Sequence, residues 1–115
     1  MNKKFNFNEI LTATKESFDL EEDVVFKLYR STIELSSKVV QDIELGVKNY
    51  DYKLIENAAH KLKGASGSIR LDYIYNLCIE IENDAKANKY RNCEKDLEEI
   101  KSFFISLENA IKDPQ

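Results

Sequence analysis

The only proline in this 115-residue chain is Pro114, so 113 consecutive residues contain nothing that removes a backbone donor or breaks a helix. Glycine is nearly as scarce: Gly46, Gly64 and Gly67 are the only three. Too few turn-forming residues remain for the repeated tight reversals of a β-rich fold, and the expectation is an all-α chain. A hydrophobic share of 43% against 33% charged suffices for a core, and the length fits one domain, taken as residues 1–115.

Apolar periodicity divides the chain. Asn8 to Phe18 places Ile10, Leu11 and Thr14 at helical spacing, which predicts a short first helix. Asp19-Leu20-Glu21-Glu22 then offers an acidic N-cap to a long second helix, Leu20 to about Lys48, with Val24, Leu28, Leu35, Val39 and Ile43 as its stripe. Asp51 caps a third helix, along which Leu54, Ile55, Ala58, Leu62, Ala65 and Ile69 recur. The phase resets at Arg70-Leu71-Asp72, and Leu71, Ile74, Cys78, Ile81 and Ala85 mark a fourth helix ending near Asn88. From Tyr90, the series Cys93, Leu97, Ile100, Phe104, Leu107 and Ile111 steps alternately by three and four, the cleanest seam in the chain.

Four long helices with short connections make antiparallel neighbours. The expected architecture is an up-down-up-down four-helix bundle with the short extra N-terminal helix across one end. Such a bundle uses its own stripes for its core, so a monomer is expected.

Several function classes fall away. The net charge is -4 with no basic stripe, which argues against nucleic acid. The longest apolar runs are three residues, as in Phe103-Phe104-Ile105, against the roughly 20 a membrane helix needs. Met1-Asn2-Lys3-Lys4 is basic but leads into Phe5-Asn6-Phe7-Asn8-Glu9, which is no secretory signal; a cytoplasmic location without membrane insertion is expected. Cys78 and Cys93 stand among apolar helical neighbours without a C-x-x-C spacing and read as buried free thiols. The single histidine, His60, excludes a multi-histidine metal centre. There is no phosphate-cradling G-x-x-x-x-G-K-[ST] loop and no acidic cluster built for Mg²⁺, so no cofactor or metal of its own is expected.

At about 100° per residue, the apolar positions of the third helix average about 170° from His60, which therefore faces solvent. Beside it on that face lie Lys53, Glu56, Asn57, Lys63, Gly64 and Gly67. Each glycine inside a helix costs about 1 kcal/mol relative to alanine, so two of them at i+4 and i+7 from the histidine are unfavourable for the fold alone. One account is that they remove bulk so that a partner can bring a reactive group to the imidazole. The other is helix termination, which suits Gly67 better than the deeper Gly64. Lys63, one turn on, can extend an ammonium toward an anion carried by the imidazole; Lys61 and Lys53 read as solvated lysines. Antiparallel pairing across a turn near Leu71 sets residues summing to about 142 level, which brings Glu82 opposite His60. From the flank of the fourth helix its carboxylate can accept a hydrogen bond from Nδ1 and leave Nε2 as the nucleophile, unless it is simply a flank glutamate.

The string Ala59-His60-Lys61-Leu62-Lys63-Gly64-Ala65-Ser66-Gly67-Ser68-Ile69, followed by Leu77-Cys78 and Ile81-Glu82, resembles the histidine-containing phosphotransfer (HPt) domain family. It carries the His-x-Leu-Lys-Gly core, the small residues after it, the apolar Ile69, and an acidic residue 22 positions beyond the histidine. The resemblance implies a four-helix bundle in which His60 is the phosphoacceptor at Nε2, Lys63 steadies the phosphoryl group and Glu82 orients the ring. It further implies that Gly64 admits the partner, with Glu56, Asn57, Lys61 and Gly67 on the same docking face. The partners implied are receiver domains of response regulators or hybrid histidine kinases, which bring the Mg²⁺. The chain would then be a phosphoryl carrier of a two-component phosphorelay, without an ATP site. The family usually has glycine where this chain has Arg70, and a non-glycine residue resists the left-handed conformation by about 1 kcal/mol, so a turn continued or tightened differently is expected. The alternative is an unphosphorylated adaptor of the same fold that binds a signalling partner through the same face.

Overall fold

The computed structural model describes residues 5–112; Met1–Lys4 and Pro114 lie outside the described residues. Five helices follow in order: α1 Phe7–Phe18, α2 Glu22–Asn49, α3 Tyr52–Ser68, α4 Asp72–Lys86 and α5 Cys93–Lys112. Among the described residues there is no strand. Helix α2 packs on α3, α3 on α4, α4 on α5, and α5 returns to α2, which closes the bundle; α1 lies against α2. The long dimension, 43 Å, is that of α2 itself, since 28 residues at about 1.5 Å each span about 42 Å.

The stripes form one core, but the first half of α2 is turned from the expected phase: Val25 and Tyr29 are buried there, whereas Val24 is exposed and Leu28 and Leu35 are only partly buried. Val25, Tyr29, Val39 and Ile43 of α2 meet Ile55, Ala59 and Leu62 of α3, Ile74, Cys78 and Ile81 of α4, and Leu97, Ile100, Phe103 and Leu107 of α5, all nearly inaccessible to solvent. Close packing of this kind is what stabilises helices whose intrinsic propensity alone would not hold them. Helix α1 is tied on by Thr14, whose hydroxyl donates to the Ile69 carbonyl at 2.7 Å and lies 2.8 Å from the Tyr29 hydroxyl. Thus one buried threonine joins α1 and α2 to the end of α3.

Helix ends depart from the expectation in an instructive way. Asp19 is not the N-cap of α2; it takes a left-handed conformation that ends α1, and Glu21 occupies the N-cap position without a side-chain bond. A short polar side chain tolerates the left-handed region, which is why aspartate serves there. Tyr50, Arg70 and Asn88 do the same after α2, α3 and α4, while no glycine has a positive φ. After α3 the motif is complete: the Leu71 amide donates to Ser66 O at 2.9 Å and the Arg70 amide to Gly67 O at 3.3 Å. Arg70 therefore does not redirect the turn, as its side chain suggested; it adopts φ 65°. Its guanidinium grips both carboxylate oxygens of Asp72 at 3.2 and 3.0 Å and donates to Ser17 Oγ at 2.9 Å, contacts that compensate the backbone conformation. Asp51 caps α3 as expected, accepting from the Leu54 amide at 3.1 Å. Helix α5 begins at Cys93 rather than Tyr90, because Tyr90 stays in the connection and packs its ring on Tyr50 and Tyr52.

Candidate functional site

The sequence of α3 makes one face apolar and leaves the other to His60. Ile55, Ala58, Ala59 and Leu62 are buried, and the His60 side chain is 66% exposed. The left-handed turn at Arg70 sends α4 back along α3, and the register that results sets Glu82 beside His60. The Nδ1–Oε2 distance is 3.0 Å. A carboxylate can only accept, so Nδ1 carries the proton and the lone pair is on Nε2.

Glu82 is more enclosed than a flank residue should be: its side chain is only 6% exposed. Two lysines and the imidazole close around it. Lys63 Nζ lies 2.7 Å from Oε1, and Lys86 Nζ lies 3.7 Å from Oε2, the oxygen that His60 also uses. Burial alone would raise the Glu82 carboxyl, but the hydrogen bonds from Lys63 and His60, with the charges of Lys63 and Lys86, outweigh it and hold the group below its usual value. The hydrogen bond to Glu82 in turn raises the Lys63 ammonium. The lysine expected to reach toward an anion on the imidazole is thus engaged with the carboxylate.

The two glycines near His60 separate cleanly. A Cβ on Gly64 would meet no atom within 4 Å, so its face is open beside the imidazole. A Cβ on Gly67 would come 2.8 Å from Tyr75 Cδ1, so the missing side chain there accommodates an aromatic ring of α4. Neither glycine terminates the helix, which runs on through Ser68. Gly67 therefore has a packing role against Tyr75 while still reaching the surface. Lys63, Gly64, Gly67, Ser68, Asp72 and Tyr75 line a shallow depression next to the histidine.

Asn57 and Lys61 are exposed on the same face, and Glu56, partly buried, pairs with Lys53 at 3.8 Å. Lys86 and Tyr75 are the residues that sequence reasoning missed. For Lys86 a signal existed, because it stands four residues after Glu82, the spacing at which a glutamate and a following lysine meet on a helix. Both thiols are buried and free, and burial together with nearby carboxylates pushes each up to about 12, which leaves them inert at neutral pH. Among the described residues no three His, Cys, Asp or Glu side chains gather closely enough to hold a metal ion, and no helix is long and apolar enough to cross a membrane.

Comparison with known proteins points the same way. The family profile described as Hpt domain matches residues 27–111, which takes in nearly all of α2 through α5 and leaves α1 outside. Histidine-containing phosphotransfer protein 1 of Arabidopsis thaliana is 23% identical over 79 residues, covering 67% of this chain and 51% of the relative. Histidine-containing phosphotransfer protein 2 of the same plant is 20% identical over 95 residues, with 83% and 60% covered. Histidine-containing phosphotransfer protein 1 of Oryza sativa subsp. japonica is 27% identical over 69 residues, with 60% and 47% covered. The chain spans about half the length of the curated relatives it matches. No solved structure matches significantly. A profile that spans most of the chain, on an all-helical bundle with the histidine on its exposed face, places it in a family: the chain belongs to the Hpt domain family.

Proposed function

We propose that this chain is a histidine phosphotransfer module of a two-component phosphorelay, which takes a phosphoryl group from an aspartyl phosphate of one receiver domain and passes it to the aspartate of another. The observation that carries the reading is the hydrogen bond between His60 Nδ1 and Glu82, because it leaves the Nε2 lone pair on the exposed edge of the ring. In the forward step Nε2 attacks phosphorus, the N–P bond forms, the acyl P–O bond breaks and the receiver's carboxylate leaves. His60 keeps its Nδ1 proton and becomes an imidazolium, whose charge the Glu82 carboxylate stabilises as the aspartate of a catalytic triad stabilises its histidine. The return step reverses these changes.

Most of the rate comes from in-line positioning by the partner. Mg²⁺ and the acidic residues that hold it are assigned to the receiver. Gly64 supports the reading, since an open, side-chain-free surface next to Nε2 has no use within the fold. Glu56, Asn57 and Lys61 are assigned to the rim of the docking face, and Lys63 to the phosphoryl group once it has arrived.

The test is transfer itself. Incubation with a panel of phosphorylated receiver domains and Mg²⁺ is expected to give an acid-labile, base-stable label that is absent from His60→Gln. Binding to a receiver without any label would favour the adaptor.

A further inference from the structure

We propose that Lys86 is a reserve counter-ion for Glu82, which lets Lys63 leave the carboxylate and move to the phosphoryl group when His60 is phosphorylated; the proposal rests on the phosphotransfer reading above. The difficulty it resolves is one of charge. Lys63 sits on Glu82 Oε1 at 2.7 Å, so the ammonium assigned to the phosphoryl group is already committed. A phosphoryl group on Nε2 adds up to about two negative charges on the exposed side of the ring. Lys63 stands one turn from His60 on the same helix and is the cation best placed to turn toward them.

If Lys63 turned with nothing in its place, Glu82 would be a nearly buried carboxylate balanced by His60 alone, an arrangement that burial penalises heavily. Lys86 is positioned to prevent this. Its Nζ is 3.7 Å from Oε2, near enough to be attracted yet too long for a good hydrogen bond, and its side chain is 55% exposed and so free to close in. It reaches Glu82 along α4 itself, four residues on, with the glutamate on the N-terminal side, which is the favourable orientation. It therefore does not compete with Lys63 for the space beside Nε2. Two ammonium groups and an imidazole around one nearly buried carboxylate exceed what a static pair requires; they suit a site in which one of the lysines departs.

Lys86 is thus a positioning residue, and a double-mutant cycle tests it in the full chain with potassium phosphoramidate as donor. In that reaction Nε2 attacks phosphorus, the donor's P–N bond breaks and ammonia leaves from its protonated nitrogen, so no receiver enters the measurement. Lys86→Met is expected to slow phosphorylation roughly threefold or more, with Lys86→Arg close to the original rate. Lys63→Met is expected to be slower still, and the Lys63→Met/Lys86→Met double variant no slower than Lys63→Met alone, because both act on one event. In ¹⁵N spectra of the lysine ammonium groups, phosphorylation is expected to move Lys63 and Lys86 together, and in Lys86→Met to leave Lys63 on Glu82. An unchanged rate in Lys86→Met, or losses that multiply in the double variant, would overturn the proposal while leaving the phosphotransfer reading in place. Failure of the unmodified chain to take label on His60 from phosphoramidate would remove both.

Discussion

His60 and Glu82 are 22 residues apart in the chain and 3.0 Å apart in space, and the turn at Arg70 is what closes that distance. Each partner alters what the other can do. The carboxylate fixes the proton on Nδ1, and the imidazole, with Lys63 and Lys86, keeps the carboxylate ionised within a largely buried setting.

Removal of the carboxylate therefore acts on the tautomer before it acts on anything else. Glu82→Ala is expected to reduce phosphorylation of His60 about tenfold or more, the scale of a lost hydrogen bond to a charged group. In ¹⁵N spectra the share of neutral His60 protonated at Nδ1 is expected to fall. Glu82→Gln keeps an acceptor for Nδ1 but no charge, so it should retain more activity than alanine. Equal rates in all three proteins would dismiss the orienting role.

The three glycines predict three different outcomes on substitution by alanine. Gly64→Ala meets no atom and gains helix propensity, so it should stabilise the fold by about 0.5–1 kcal/mol while impairing transfer from receivers more than transfer from a small donor. Gly67→Ala pushes on the Tyr75 ring and should be less stable than Gly64→Ala by about 0.5–1 kcal/mol. Gly46→Ala places its methyl 2.6 Å from Ile55 Cγ1 and 3.0 Å from the Asp51 carbonyl, within buried packing, and is expected to cost about 1–3 kcal/mol. Urea unfolding of the three variants gives the order directly.

Much of this site could be read from the residues, and the reasons are physical. The exposure of His60 follows from the phase of Ile55, Ala58 and Leu62, and the Glu82 pairing follows from the constant rise of two antiparallel helices joined near Leu71. What escaped depends on side-chain reach and on backbone choices that local propensity does not set. Arg70, Tyr50 and Asp19 all take the left-handed conformation that glycine would adopt more readily, and only their place at helix ends accounts for it. Tyr75 over Gly67 and Lys86 beside Glu82 are contacts of side chains whose rotamers tertiary packing selects. Asp96 is the plainest failure of periodicity, a charged residue buried beside Leu97 and Ile100.

Arg70 offers a test of how strongly that turn is held. Arg70→Gly relieves the backbone conformation but loses the bonds to Asp72 and Ser17, and the two effects oppose each other. The melting temperature is expected to stay within about 3 °C of the original. Arg70→Val keeps the conformational penalty, increases it by β-branching and loses the bonds, so it should melt lower than both. A Val variant as stable as the original would mean that the left-handed geometry contributes little.

Asp96, in the first turn of α5, predicts a pH dependence opposite in sign to that of Glu82. It is 1% exposed, and neither carboxylate oxygen has a hydrogen-bond donor among the described residues. Burial first, and then the adjacent Glu80, which can accept from the protonated carboxyl and repels the ionised one, push the Asp96 carboxyl up to about 7. A folded-state value above the unfolded one means that the folded chain binds the extra proton, so stability falls as pH rises from about 4 to about 7 and then levels off. Glu82 is shifted downward, and its contribution is present above the unfolded value and lost only as pH falls below about 4.5. Asp96→Asn cannot ionise, and its amide can donate to Glu80, so this variant should melt roughly 5 °C or more above the original at pH 8 and close to it near pH 4. Melting curves at half-unit steps between those limits give the comparison, and a constant difference between the two proteins across the range would show that Asp96 does not titrate there.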